Sequence, residues 1–356
     1  AQSTEQLVKA IEQSGLVNYA EPDYVVSVES VDDSQGGDES ALSWALHNTG
    51  VAGGVADADI DAPEAWAAFA KHPKSHPNNT PRPVIAIIDT GIDLAHPALT
   101  SHLWHYPDAM PNRFGASACV NDSNSPADAN GHGTQVAGVI ASLNAHNEFK
   151  LLPIKALCAD GRGYHSDIIA AVDHLLALKQ QGANISVVNL SFGGSDNGVS
   201  LLSALQQLAN KNVVIVASAG NGSQSNDETP RYPSNYPIAQ MIVVAASDHS
   251  DQLASTTNYG ISTVDLAAPG VDIYTAQLNG AYDKSSGTSL SAAYISGTAA
   301  MTQVVHPSLS AVNIKSRIIA GVDKRNQFAG KVASRGRLNA NNIFDTDNQL
   351  AVDQLN

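Results

Sequence analysis

Positive charge is scarce in this chain. Nineteen lysines and arginines stand against 34 aspartates and glutamates, a formal net charge of −15. That balance favours solubility and argues against nucleic-acid or anionic-membrane partners, whose phosphates need clustered cations. No basic stripe offsets it. Apolar runs are short, and none reaches the roughly 20 residues that cross a bilayer. The opening residues, Ala1-Gln2-Ser3-Thr4-Glu5, lack the basic and apolar regions of a secretory signal. Such a signal is either already removed or was never there. Cysteine is limited to Cys119 and Cys158, too few for a disulfide framework and without the spacing of a metal site. They are either two buried thiols or one bridge closing about forty residues, a constraint of roughly 3–4 kcal/mol in the chain-entropy account. Of the two, the bridge is the expectation.

What the chain does have is length and pattern. Its 356 residues are 43% hydrophobic and only 15% charged, enough for one large core or two ordinary ones. Residues 5–14 put Leu7, Val8 and Ile11 at helical spacing, with Gly15 as the stop. Val17 to Val28 alternates loosely, as a strand interrupted at Pro22. Glu29 to Ser40 is acidic and rich in Gly and Ser, so it buries little and reads as a linker. A small N-terminal piece, 1–28, is therefore tethered through 29–43 to the rest.

From there the pattern changes. Val84 to Ile88, Leu151 to Leu157, Ile185 to Leu190, Val213 to Ala217 and Met241 to Ala246 are continuous apolar runs. Amphipathic stretches lie between several of them, such as Asp167 to Gln181 and Ser200 to Asn210. Continuous Val/Ile/Leu strands alternating with helices predict an α/β fold, a mostly parallel sheet flanked by helices on both faces. Working residues in such sheets collect at the carboxyl ends of the strands. Polar punctuation falls there: Asp89, then Ser191-Phe192-Gly193-Gly194, then Ser218-Ala219-Gly220-Asn221.

Four residues stand out. Asp89 ends a strand. His132 sits between Gly131 and Gly133 at the start of a helix pattern. Asn221 follows a strand end, with an amide able to donate to an oxyanion. Ser289 follows Gly287-Thr288 and opens a buried helix, beside unpaired N–H groups and the positive end of the dipole. Each has an ordinary reading by itself: turn cap, satisfied histidine, turn residue, helix N-cap. Their joint occurrence at element ends does not.

Ile87-Ile88-Asp89-Thr90-Gly91-Ile92-Asp93, Asn130-Gly131-His132-Gly133-Thr134 and Gly287-Thr288-Ser289, in that order, resemble the three motifs of the subtilisin-like serine proteases (subtilases, peptidase family S8). The order differs from that of chymotrypsin and the α/β-hydrolases, and the likeness covers residues 44–342, leaving 343–356 as a tail. It implies a serine endopeptidase in which Ser289 is the nucleophile, His132 the base, Asp89 its orienting carboxylate and Asn221 an oxyanion donor. It also implies that an extended substrate pairs with Gly161, Arg162, Gly163 and with Ser191, Phe192, Gly193. Ala217, Ser218 and Ala219 would line the first specificity pocket, with room for a sizeable apolar side chain and Arg231 near its base. Asn18 to Val26 looks like the end of the family's inhibitory propeptide, a possible intramolecular partner, which implies a secreted or periplasmic zymogen.

Departures from the family pattern are local. Leu290, Ser291, Ala293 and Tyr294 stand where Met, Ala, Pro and His are usual, and a non-catalytic peptide-binding relative is the competing expectation on that ground. No cofactor is expected for the chemistry. Ala98 follows His96-Pro97 where the family often has a calcium-binding Asp, and the connection Asn144 to Lys150 is short, so that calcium site is expected to be missing. Acidic loops near Asp122 and Asp128 leave other calcium open.

Overall fold

Strands that are apolar at every position need a packed layer on each face, and this chain supplies both. The computed structural model describes residues 3–29, 44–50, 53–71, 81–106, 114–119 and 125–344. Helix α1 (Thr4–Gln13) and strand β1 (Val25–Val28) come first, followed by α2 (Ala62–Lys71), β2 (Val84–Asp89) and β3 (Ala116–Ser117). Next are α3 (His132–Ser142), β4 (Lys150–Lys155), β5 (Arg162–Tyr164) and α4 (His165–Gln180). Then come β6 (Ile185–Leu190), β7 (Phe192–Gly193), α5 (Val199–Asn210), β8 (Val214–Ser218) and β9 (Met241–Ser247). The chain continues with β10 (Leu266–Pro269), β11 (Ile273–Ala276), β12 (Tyr282–Ser285), α6 (Thr288–Val305) and α7 (Ala311–Ala320). Two short strands close it, β13 (Asp323–Lys324) and β14 (Gly336–Arg337).

Nine strands form the main sheet in the order β13-β14-β10-β9-β8-β6-β2-β4-β3. All neighbours are parallel except β13, which runs antiparallel to β14 at the edge. Alternation divides each central strand between two cores. Ile85 and Ile87 join the cluster holding Val136 and Ile140 of α3 and Leu290 and Ile295 of α6. Val84, Ala86 and Ile88 join the other, with Ile168 and Val172 of α4 and Leu201 and Leu205 of α5. The predicted α/β architecture is the one observed.

The topology also makes a crevice. From β2 the chain passes through α3 to β4 on one side, then through α4 to β6 on the other. Strand order thus reverses about β2, and a sheet of this kind opens its ligand crevice at such a switch point. Asp89 is the last residue of β2.

Helix α6 is buried along nearly its whole length, which is possible because its hydroxyls are paired inside. Ser291 donates to the carbonyl of Ala268 at 2.9 Å, and Ser296 to Oδ1 of Asn189 at 2.8 Å. The residues that depart from the family motif, Leu290, Ser291, Ala293 and Tyr294, all pack into the core. Cys119 and Cys158 are joined as a disulfide, their Cα atoms 5.7 Å apart.

The N-terminal piece differs from expectation. Only Val25–Val28 of the predicted strand is a strand; Pro22 has no N–H to give a ladder, and Glu21 and Asp23 are fastened through their side-chain carboxylates instead. Helix α1 buries none of its residues. Of the predicted 29–43 linker, Glu29 is buried and 30–43 lies outside the described residues, as does 345–356 of the tail. No helix among the described residues is long and apolar enough to cross a membrane.

Candidate active site

Three element ends converge at the switch point. Asp89 closes β2, His132 opens α3, and Ser289 is the second residue of α6. His132 Nδ1 lies 2.8 Å from Asp89 Oδ1, and its Nε2 lies 3.0 Å from Ser289 Oγ. All three side chains are buried. The glycines flanking His132 have separate reasons. Gly131 holds φ at +111°, and a Cβ on Gly133 would sit 2.0 Å from the carbonyl oxygen of Gly91. Close approach of α3 to the end of β2 therefore requires glycine there.

Asp128 anchors that corner. Its Oδ1 accepts from the Thr90 hydroxyl and from the N–H groups of Asn130 and Gly131, and its Oδ2 from the N–H and hydroxyl of Thr134. Burial pulls the His132 imidazole down, but the charge of Asp89 and its hydrogen bond outweigh this. With Asp128 and Glu29 adding, the net shift is above the ordinary 6.5. The lone pair and charge it needs for proton transfer are thus set by a specific carboxylate.

Asn221 accepts the Thr288 N–H on its Oδ1 at 3.1 Å. Its Nδ2 is buried without a hydrogen-bond partner, a costly state in a folded protein unless a ligand or reacting group uses it. The bond from the Thr288 N–H ties the Asn221 side chain to the start of α6, one residue before Ser289.

An occupant already lies in the crevice. Strand β1 pairs antiparallel with β5 and with β7, sitting between them as the centre of a three-stranded sheet. Val26 faces Gly163, Ser27 faces both Arg162 and Gly193, and Val28 faces Phe192. Val28 N–H donates to the Gly161 carbonyl at 3.0 Å, and Glu29 N–H to the Ser191 carbonyl at 3.2 Å. The Glu29 carbonyl oxygen accepts a hydrogen bond from Ser289 Oγ. Gly161, Arg162, Gly163, Ser191, Phe192 and Gly193 are thus all brought onto one extended segment. Two carboxylates upstream fasten it by capping helices. Glu21 accepts the N–H groups of Val199 and Ser200 at the start of α5, and Asp23 those of Ser166 and its hydroxyl near the start of α4.

Ala217 and Ala219 are fully buried in the core beneath α4 and α5, and the buried Ser218 hydroxyl has no hydrogen-bond partner. The side chain beyond Val28 is held by other groups. Glu29 Oε1 lies 2.7 Å from Arg231 Nη2, and Oε2 accepts the Asn221 N–H at 3.3 Å. A Cβ on Gly193 would be 2.6 Å from Oε1. The expected apolar occupant is replaced by a carboxylate, because Arg231, expected near the base of the pocket, pairs directly with the side chain that fills it. Glu29 was missed in the sequence because the acidic run after it disguised it as linker. The available signal was its position one residue past the end of the alternating segment.

The implied calcium does not fit the residues present at the family position. His96 Nδ1 accepts the Ala98 N–H at 3.1 Å, its Nε2 lies 2.9 Å from the Ala281 carbonyl, and Ala98 has no side-chain oxygen. Asn144 closes the short connection by binding the Glu148 N–H and the Phe149 carbonyl. Asp128 is filled by N–H and O–H donors. Among the described residues no group of three or more His, Cys, Asp or Glu is placed to hold a metal; Asp122 lies outside them.

Comparison with known proteins gives one answer. The sequence model of the Subtilase family matches residues 81–340. Thermitase of Thermoactinomyces vulgaris is 32% identical over 293 residues, covering 79% of this chain and 92% of thermitase. The thermophilic serine proteinase of Bacillus sp. strain AK1 is 31% identical over 352 residues, 96% of this chain and 76% of that protein. Subtilisin amylosacchariticus of Bacillus subtilis subsp. amylosacchariticus is 32% identical over 242 residues, 66% of this chain and 58% of its own length. The match thus spans less than two thirds of that subtilisin.

Proposed function

This chain belongs to the subtilase family, and from that premise we propose that it is a serine endopeptidase acting on extended polypeptides. The observation that carries the proposal is the line of contacts from Asp89 through His132 to Ser289 Oγ and on to a peptide carbonyl. Ser289 attacks that carbonyl while His132 takes the hydroxyl proton, then returns it to the leaving amine. Asp89 holds the tautomer and stabilises the imidazolium. The Asn221 amide and the Ser289 N–H receive the oxyanion. These groups complete acyl transfer and hydrolysis with water alone, and no cofactor enters.

Residues 44–342 act as the peptidase domain in this reading. The N-terminal segment is its intramolecular inhibitor, occupying the strand position a substrate would take. The Cys119–Cys158 bond supports an oxidising compartment, secreted or periplasmic; recovery of the protein only from the reduced cytosol would count against that. Casein hydrolysis by the wild type and by Ser289→Ala tests the main proposal, with a fluorophosphonate label as a direct probe of an activated serine. Expected are label and hydrolysis in the wild type, and loss of both in the variant by more than about a thousandfold in rate. A wild type that neither takes the label nor cuts casein overturns the proposal.

A further inference from the structure

The side chain beside Ser289 is unusual for a groove floored by alanines and glycines. Glu29 is 7% exposed, and its carboxylate is met by a guanidinium, a backbone N–H and two glycines. Arg231 Nη2 reaches Oε1 at 2.7 Å, Asn221 N–H reaches Oε2 at 3.3 Å, and Gly193 and Gly220 leave the space open. A Cβ on Gly220 would be 3.7 Å from Oε1, and one on Gly193 would collide with it. Arg231 is itself aimed. Its N–H donates to Asn235 Oδ1 at 3.1 Å, and the next residue, Tyr232, pairs with Gly194 through two backbone hydrogen bonds of 2.8 and 2.9 Å. That pairing sets residue 231 against the strand that carries the substrate side of the groove.

We propose that the enzyme cuts after glutamate, with Arg231 as the specificity-determining residue, and that its own first cut falls between Glu29 and Ser30. The inference rests on the endopeptidase reading above and names its substrate class. Desolvating a carboxylate beside a guanidinium is favourable only when the two pair, whereas a neutral side chain there would leave Arg231 partly buried without its partner. Aspartate is shorter by one C–C bond, about 1.5 Å, and falls short of Nη2. An apolar side chain would face the cation directly.

An independent feature of the sequence agrees. Residues 44–356 contain 22 aspartates but only three glutamates, Glu64, Glu148 and Glu228. Glu64 lies within α2, Glu148 is buried, and Glu228 is exposed but sits in a turn, its N–H bonded to the Ser225 carbonyl at 3.1 Å. None of the three is in the extended form that pairing between β5 and β7 demands. A glutamate-directed protease built this way carries few cut sites in its own folded part.

The cut balances without any further reagent than water. Ser289 Oγ bonds to the Glu29 carbonyl carbon as its proton passes to His132 Nε2. The bond from that carbon to the Ser30 nitrogen breaks, and the nitrogen takes the proton from His132. Water then adds to the ester, returning a proton through His132 to Ser289 Oγ and leaving Glu29 as a free carboxylate.

The test uses the full chain and a panel of peptides, Val-Val-Ser-Val-Xaa followed by a fluorogenic amine, with Xaa as Glu, Gln, Asp or Phe. Expected is a kcat/KM for Glu at least about tenfold above the other three. Arg231→Ala should bring the Glu-to-Gln ratio near one, while Arg231→Lys retains part of it. Mass spectrometry of the incubated chain should find a new N-terminus at Ser30, formed about tenfold more slowly in Glu29→Gln. The peptide ratio on the wild type needs no variant to fold. Cleavage of the Phe peptide as fast as the Glu peptide, or a ratio unmoved by Arg231→Ala, overturns the proposal while leaving a serine endopeptidase. Labelling of Ser289 by a fluorophosphonate with no cut after Glu does the same. Absence of both label and cleavage removes the endopeptidase reading, and this one with it.

Discussion

Asn221 holds its carbonyl oxygen on Thr288 and leaves its amide hydrogens unpaired in a buried site. A donor kept in that state costs stability at rest and returns it only when negative charge develops nearby. Asn221→Ala is therefore expected to lower kcat by about 10²–10³ with little change in KM, the magnitude of subtilisin's own oxyanion asparagine. Steady-state kinetics on one peptide decides it, and a large rise in KM at constant kcat would contradict the role. His132 must be neutral to accept the Ser289 proton. Because its pKa is raised above 6.5 by Asp89, against its burial, activity should fall as pH drops through a midpoint above that value. A pH profile of kcat/KM with its acidic limb well below 6.5 would show that another group controls the rate.

At the scale of elements, the site depends on how closely helix α3 lies against its neighbours. Gly138 faces strand β11, and a Cβ there would come within 2.4 Å of Thr275 Oγ1 and 2.7 Å of the Ala276 nitrogen. Alanine is the better helix former by about 1 kcal/mol, so propensity alone predicts that Gly138→Ala stabilises. Overpacking against backbone costs about 1–3 kcal/mol and should win. The expected result is a lower urea midpoint together with reduced activity, since α3 carries His132. Unchanged stability would mean that the contact relaxes without moving the helix. Strand β1 makes the complementary point: four residues with no core of their own become ordered because two edges, β5 and β7, wait to be paired.

For the molecule as a whole, two expectations concern stability. Asp61, at the entrance to α2, approaches the far end of the chain through Asn339 and Asp323. Burial, with Asp323 next, raises its carboxyl from 3.8 to about 6, against the hydrogen bond from Asn339. A carboxyl with a folded pKa above its unfolded one binds its proton more tightly when folded. The penalty is thus absent at low pH, grows between 3.8 and about 6, and is complete above. Asp61→Asn keeps an acceptor for Asn339 and tolerates the positive φ of 54° at this position. It should stabilise the protein at pH 7.5 by about 1 kcal/mol, a value discounted for partial exposure, and give no gain at pH 3.5 by thermal denaturation. The second expectation is that no calcium is held at the His96-Pro97-Ala98 position or at Asp128. Chelation with EDTA should move the melting temperature by less than about 2 °C, whereas a fall of ten degrees would mean a calcium ion is part of the fold.

The α/β architecture and the candidate triad were legible in the sequence for a local reason. Uninterrupted apolar runs specify buried parallel strands wherever they pack, and motifs such as Asn130-Gly131-His132-Gly133-Thr134 combine a functional group with the glycines its tight placement needs. The substrate-side chemistry was not legible, because it is made by residues distant in sequence. Glu29 reads as the first residue of an acidic linker until β1 is seated between β5 and β7, and Arg231, already placed near the pocket's base by resemblance, has no partner until Gly194 pairs with Tyr232 and sets it against Glu29. Residue order determined which strands, helices and reactive groups the protein has. Only tertiary structure, by bringing Arg231 and Glu29, 202 positions apart in sequence, into a 2.7 Å ion pair, decided what lies against Ser289.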